Sequence, residues 1–381
     1  MSDKTGIEFA QSENLTLGVE LELQLVSRDT YDLSPVASQI IKRVGNDHPF
    51  IKPEIFESMI ELNTDICRTV SEVRADLRKT SEVLSQIVDD LGVRLISAGS
   101  HPFARYSERI LYPSSRYKML IDRNQHIARR LMIFGIHVHV GMTSADLAMK
   151  VNNAILFYLP HLLALSASSP FWQGDDTGLA SSRTTVFEAI PTGGHPCRFQ
   201  SWEEFTKVYE RMVRSGAIAS MKDIWWDVRP SPAFGTLEIR CCDGPPSLDH
   251  VLSITALIQA LCARIIETYE GAATVAPPEE WIMRENKWRA SRHGLEAKII
   301  TSANGDNSPI RVEILKLLED LAPYFQKLGS VEQQAWLQNY CRSVPSYQKQ
   351  REIFSKHGTL AAVTESLADD FSDSFLTPHM P

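Results

Sequence analysis

The segment TLGVELELQLV, residues 16–26, alternates apolar and polar side chains. Val19, Leu21, Leu23 and Leu25 fall on one side, and Glu20, Glu22 and Gln24 fall on the other. A period of two is that of a β-strand with one buried face. The second face carries two carboxylates roughly 6.5–7 Å apart along the strand. Taken alone, it reads as a solvated strand face, because charged side chains are mostly exposed. The competing reading is a pair of ligands for a hard cation such as magnesium. The other segments decide between the two.

The chain has 381 residues, enough for one elaborate domain or two ordinary ones. Its composition is that of a soluble globular protein. A net charge of −8 argues against a nucleic-acid partner held by phosphate contacts, and leaves room for a local basic pocket for a nucleotide. Cys67, Cys197, Cys241, Cys242, Cys262 and Cys341 form no CxxC pair, so neither a zinc knuckle nor a thioredoxin-type motif is supported. They read as reduced thiols of a cytoplasmic protein, with Cys241 and Cys242 on opposite faces of one strand. The polar, acidic N-terminus is not a signal peptide. The most apolar run, 154–167, is too short to span a bilayer and holds Pro160 and His161, so no membrane partner is expected.

Periodicity predicts helices over 35–44, 69–91, 116–130, 144–169, 202–215 and 248–269. Extended segments are expected over 52–63, 93–102, 133–141, 223–229 and 236–242. Residues 170–196 read as a long Gly-, Thr- and Ser-containing loop, a length that is uncommon without a function. Beyond a connector at 271–278, only helical patterns follow, from Trp281 to near Phe371. The irregular mixture predicts an α+β fold with a largely antiparallel sheet and helices over one face. The expected organisation is one catalytic domain over 12–371, with the sheet and its covering helices in 12–270 and a helical part in 280–371. Residues 1–11 and 372–381 are expected to be flexible. Neither GxGxxG nor GxxxxGK[ST] occurs.

Four segments place polar groups at even spacing in strand-like patterns. They carry Glu20 and Glu22, Glu57 and Glu61 in FESMIELNT, His137 and His139 in GIHVHVGM, and Glu238 and Arg240 in TLEIRCCD. Each alone is weak, since a strand histidine is more often a satisfied core group and a Glu–Arg pair more often a surface couple. Five carboxylates and two histidines on inward faces are costly without cations, so together they point to a shared site. The set is rich in carboxylates, which suits magnesium or manganese and leaves room for phosphate oxygens. Zinc prefers three compact His or Glu ligands.

Those segments, with DIWWDVRP (223–230) and ENKWRASRHGLEA (285–297), resemble in order the type 2 glutamate–cysteine ligase family of carboxylate–amine ligases. The likeness runs from about Leu17 to Ala297. It implies a glutamine synthetase-like catalytic sheet, curved into a funnel that holds Mg²⁺ (or Mn²⁺), and ATP as co-substrate. The γ-carboxylate of L-glutamate would attack the γ-phosphate, and an amine, L-cysteine in the namesake reaction, would take the acyl group. By the resemblance, Glu20, Glu22, Glu57, Glu61, His137 and Glu238 look like the metal shell. His139 looks like a nucleotide contact and Arg240 a phosphate contact.

Further candidates stand on weaker grounds. Arg183, after GDDTGLAS, reads as a ligand of the acid substrate or of the transferred phosphoryl group, or as half of an ordinary loop ion pair. Lys287, Arg289, Arg292 and His293 form a basic cluster, phosphate-facing or merely solvated, with Lys287 and Arg292 taken as nucleotide contacts. Arg229 is a candidate for a substrate carboxylate. Of Trp225 and Trp226, one is expected in the core and one at the cleft. Two rival functions remain: a phosphotransferase like the guanidino-substrate kinases, and a non-catalytic Mg–nucleotide binder. The order of GIHVHVG and DIWWDVRP favours the ligase. A homodimer or larger assembly is a fair expectation for such an enzyme.

Overall fold

The computed structural model describes residues 7–45, 48–270 and 279–377. Seven antiparallel strands form its main sheet: β1 (Leu17–Ser27), β2 (Ile51–Pro53), β3 (Met59–Asn63), β4 (Val93–Ile96), β5 (Gly135–Gly141), β6 (Val228–Ser231) and β7 (Thr236–Asp243). The order is β6-β7-β5-β1-β3-β2, and β4 also pairs with β1. The alternating segment is thus the strand on which the sheet is built. It pairs with β5 over Leu17–Leu21, with β3 over Glu20–Gln24 and with β4 over Gln24–Ser27.

One face of the sheet is apolar row by row. Ile239, Val138 and Val19 are cross-strand neighbours, as are Ile136, Leu21 and Leu62. These side chains are buried in one core with the helices Val70–Asp90, Ala145–Ile155 and Leu248–Glu270. Each buried aliphatic side chain contributes about 1.5–3 kcal/mol, which fixes the sheet's inner and outer sides. Leu248–Tyr269 is long and apolar enough to cross a membrane by length and composition, but 83% of its apolar window is buried against this core. Ile310, Leu318, Phe325, Leu337 and Phe371 of the C-terminal part join the same core.

Several boundaries differ from the periodicity. The segment 144–169 divides into Ala145–Ile155, a 3₁₀ turn and Leu159–Ser166. Pro160 lacks the N–H that would continue one helix. The 116–130 segment breaks at Gln125, whose φ is +49°. The extended element at 52–63 is a hairpin, β2 and β3, with a turn between. The 170–196 loop holds the helix Arg183–Phe187, and its Gly193–Gly194 pairs in parallel with Trp225–Trp226. The C-terminal part is not purely helical, because Lys298–Ile300 and Asn307–Pro309 form a hairpin.

Residues near both described ends pack on the fold. Phe9 packs edge-on against Trp202 at 5.3 Å, and Phe375 stacks on Phe371 at 4.2 Å. Residues 1–6, the 271–278 connector and 378–381 lie outside the described residues.

β7 carries a bulge between Ile239 and Cys242. One extra residue inverts the side-chain alternation beyond it. The Cys241 and Cys242 sulfurs therefore lie 3.9 Å apart in the core rather than on opposite faces.

Candidate active site

The second face of the sheet collects the polar residues by register. Glu22 is opposite Glu61, and Glu20 lies between Asn63 and His137. Gly18 is opposite His139, His139 is opposite Glu238, and Glu238 is opposite Arg229. A run of even-numbered side chains on β1 and odd-numbered ones on β5 thereby becomes one surface.

Glu20 bridges both histidines, reaching His137 Nδ1 at 3.0 Å and His139 Nε2 at 3.3 Å. The other nitrogen of His139 is 2.9 Å from Thr236 Oγ1. Glu238 accepts from Arg229 Nε at 2.7 Å and from Arg240. The Gly135 N–H donates to Glu22 at 2.5 Å. Three overlapping groups place one donor atom from each member within 4.8 Å of the others: Glu20–Glu61–His137, Glu20–His139–Glu238 and Glu22–Glu54–Glu61.

Electrostatics divide this surface. Burial opposes the charge of Glu20, but hydrogen bonds from His137 and His139 hold its carboxyl well below the ordinary range. Burial also opposes the charge of Glu238, and Arg229 and Arg240 overcome it. Burial pushes Glu54 up to about 7, and the charge of Glu22 adds to the rise. Burial, then Glu20 and Glu54, holds Glu61 well above the ordinary range. Burial and Arg240 push His137 down, whereas Glu238 and Glu20 raise His139 against its burial.

Crowded buried carboxylates are relieved by protons or by a cation. His139 Nε2 also lacks a well-formed hydrogen bond. Oxygen-rich donors with an imidazole fit Mg²⁺ or Mn²⁺ better than zinc.

Glu57 does not join this surface. Its carboxylate accepts from the Ser38 N–H at 2.8 Å and from the Ser38 hydroxyl at 2.5 Å, at the start of the helix Ala37–Val44. The i, i+4 expectation fails because Glu57 sits in the hairpin turn, outside β3. Glu54, one residue beyond β2, joins the cluster where Glu57 was expected. The available signal was KPEIFE read as a turn rather than as continuous strand.

His139 lies inside the ligand cluster rather than beside it. Arg229 bonds Glu238 and the carbonyls of Met221 and Ile224.

Arg183 is 2% exposed and bonds the Arg240 carbonyl at 3.2 Å, while its Nε and Nη1 have no partner among the described residues. It lines a small cavity with Glu22, Glu54, His137, Trp225 and Arg240. Asp243, beyond the bulge, is fully buried and accepts from Ser168, Ser169 and Ser181.

Trp225 lines that cavity and Trp226 packs in the core. Lys287 is buried away from it, bonded to Asp227 at 2.6 Å and to Glu188. Arg292 is exposed and docks on the Gly178 carbonyl. Arg289 pairs with Glu285 at 2.8 Å.

The fold has relatives of known structure. A glutamate–cysteine ligase from Francisella tularensis, solved in complex with AMP, superposes with a TM-score of 0.70 over 98% of this chain and 91% of its own, at 12% identity. A bifunctional glutathione synthetase from Pasteurella multocida gives 0.68 over 93% of this chain and 51% of its own, at 17% identity. In sequence, a Bdellovibrio bacteriovorus protein is 46% identical over 97% of this chain and 98% of its own. One from Thermobifida fusca is 41% identical over 96% and 93%. Both bear the name "Putative glutamate--cysteine ligase 2". Residues 16–366 match the model of glutamate–cysteine ligase family 2, and the chain belongs to that family.

Proposed function

We propose that this ATP-dependent ligase joins the γ-carboxylate of L-glutamate to an amine, with L-cysteine the amine of the family's namesake reaction. The observation that carries the reading is the cluster in which Glu20, Glu22, Glu54, Glu61, His137, His139 and Glu238 converge. These residues would hold two or more Mg²⁺ ions, with Glu22 and Glu61 on one side and Glu20 and Glu238 on the other. A bound divalent ion supplies neutralisation of the β- and γ-phosphate oxygens. The Francisella ligase was solved in complex with AMP, which supports an adenine nucleotide as co-substrate.

Phosphoryl transfer needs positioning and charge compensation more than a protein nucleophile. A carboxylate oxygen of the acid substrate attacks the γ-phosphorus, and ADP leaves. The amine nitrogen then bonds the acyl carbon, the carbon–oxygen bond to phosphate breaks, and the nitrogen loses a proton.

Arg240 is anchored on Glu238 and keeps its Nε free. Arg183 keeps two donors free at the same cavity. In this reading both guanidiniums steady the transferred phosphoryl group. Trp225 and Phe187 help keep water from the acyl phosphate.

The test is ADP release with ATP and L-glutamate fixed and a panel of amines varied. ADP and free phosphate in equal amounts support ligation. ADP with a stable phosphorylated product supports the kinase instead, and binding of Mg–ATP without amine-dependent turnover supports the binder. Turnover that survives exhaustive EDTA removes the metal premise.

A further inference from the structure

The polar rows of the sheet face follow one another along the strands. Glu22 and Glu61 are paired at one end, Glu20 and His137 come next, and Gly18, His139 and Glu238 form the row after that. Arg183 and Arg240 line the cavity at the first end, with Glu22, Glu54 and His137. At the other end lies the turn between β6 and β7, residues 232–235, which carries Phe234. The Phe234 ring stands edge-on to the His139 imidazole, with centroids 6.0 Å apart and planes at 89°.

Phe234 is 67% exposed. A single exposed apolar side chain is ordinary. Two things set this one apart: it touches a member of the carboxylate cluster, and its turn is held rigidly. The Ala10 N–H donates to the Pro232 carbonyl at 2.8 Å, the Met142 N–H to the Gly235 carbonyl at 2.9 Å, and the Phe234 N–H to the Ser231 carbonyl at 3.1 Å. Gly235 has a φ of +64°, and a Cβ there would run into the Ala10 carbonyl, so the N-terminal segment packs directly on the turn. Pro230 and Pro232 fix two more φ angles. Across the same row, a Cβ on Gly18 would meet only the His139 Cβ within 4 Å, which leaves the face open over β1. A fixed, water-exposed ring at the rim of a polar site is a stacking surface for a second π-system.

The chemistry says which π-system reaches it. In phosphoryl transfer the attacking and leaving oxygens lie roughly in line through the γ-phosphorus. With the acid substrate and the transferred group at the Arg183–Arg240 end, the rest of the nucleotide runs past Glu20 and the His139–Glu238 row toward the β6–β7 turn. We propose that Phe234 is the base platform of this site, with the adenine ring stacked on its exposed face. The proposal rests on the nucleotide half of the ligase reading.

The experiment measures the binding of ADP and of tripolyphosphate, which has no base, by calorimetry in Mg²⁺. It also measures KM for ATP and for L-glutamate in the amine-panel assay. Phe234→Ala and Phe234→Tyr alter a side chain that is 67% exposed, so the fold tolerates both. Phe234→Ala should weaken ADP binding about tenfold and raise KM for ATP by a similar factor, while tripolyphosphate affinity and KM for L-glutamate stay within about twofold. Phe234→Tyr, which keeps the stacking face, should bind ADP within about twofold of the parent. Equal ADP affinity in the parent and Phe234→Ala overturns the proposal. So does an equal loss for ADP and tripolyphosphate, since the ring would then act through His139 rather than on the base, and so does a Phe234→Tyr variant as weak as Phe234→Ala. ADP binding by the parent without amine-dependent turnover sinks the ligase reading alone, and the comparison of ADP with tripolyphosphate still decides the role of Phe234. No ADP binding by the parent sinks both.

Discussion

Glu61 and Glu238 occupy one sheet face under opposite electrostatic regimes, and their substitution should have opposite effects. Glu61 is opposed first by burial, then by Glu20 and Glu54. Neutralising it in Glu61→Gln should leave the melting temperature in EDTA equal to or above the parent's. The parent should gain stability on adding Mg²⁺ and the variant should gain less. ADP release should fall about a hundredfold, the scale on which single groups act in preorganised electrostatic sites. A parent-like response to Mg²⁺ would exclude Glu61 from the metal shell. Glu238 is different because Arg229 and Arg240 both depend on it. Glu238→Ala leaves the buried Arg240 and the partly buried Arg229 without this carboxylate and should cost about 3–5 kcal/mol in urea unfolding. A loss below about 1 kcal/mol would show that the arginines find other partners.

At the scale of elements, the strands set which side chains meet, and their glycines set how close they come. A Cβ on Gly135 would stand 2.9 Å from the Cys242 carbonyl oxygen and would also run into the Arg183 guanidinium. A Cβ on Gly18 would stand 3.5 Å from the Cβ of His139, an ordinary contact. Gly135→Ala should therefore cost about 1–3 kcal/mol and displace Arg183, whereas Gly18→Ala should be near neutral. Paired melting curves check this, and equal losses would show that the sheet adjusts at Gly135. The same contrast explains what the sequence revealed. Regular alternation made Glu20, Glu22, His137 and Glu238 legible, because a period of two assigns faces without knowing the partner strand. It failed where the chain departs from regular strand. A turn removed Glu57 and brought in Glu54, and a bulge brought Cys241 and Cys242 together. Neither leaves a periodic trace. The partners of Arg229 and Lys287 were not legible either, since Lys287 meets a carboxylate 99 residues away in the chain.

Across the whole molecule, three buried histidines outside the carboxylate cluster should weaken acid stability, and the partly exposed His195, which burial also pushes down to about 4, adds to them. Burial pushes His101, His161 and His250 down to about 4. They lie in different parts of the core. His101 faces Tyr31, Asp32 and Arg109, His161 faces Glu313 and Arg264, and His250 bonds the Leu165 carbonyl at 2.9 Å. Each imidazole is neutral in the folded chain and gains its proton on unfolding. Between about pH 6.5 and 4 the unfolded chain therefore binds more protons, and stability falls as the pH falls through that window. Near pH 5 the three together should take up two to three protons, a slope of up to about 4 kcal/mol per pH unit. Carboxylates titrate in the same range, so total uptake alone does not isolate the histidines. His250→Gln does, because it removes one buried imidazole and leaves the acidic groups in place. Urea unfolding of parent and variant at pH 7, 6 and 5 should give slopes that differ by about one proton at pH 5 and converge at pH 7. Parallel stability curves would mean that His250 does not gain a proton on unfolding, and acid lability would then belong to the carboxylates and the other histidines.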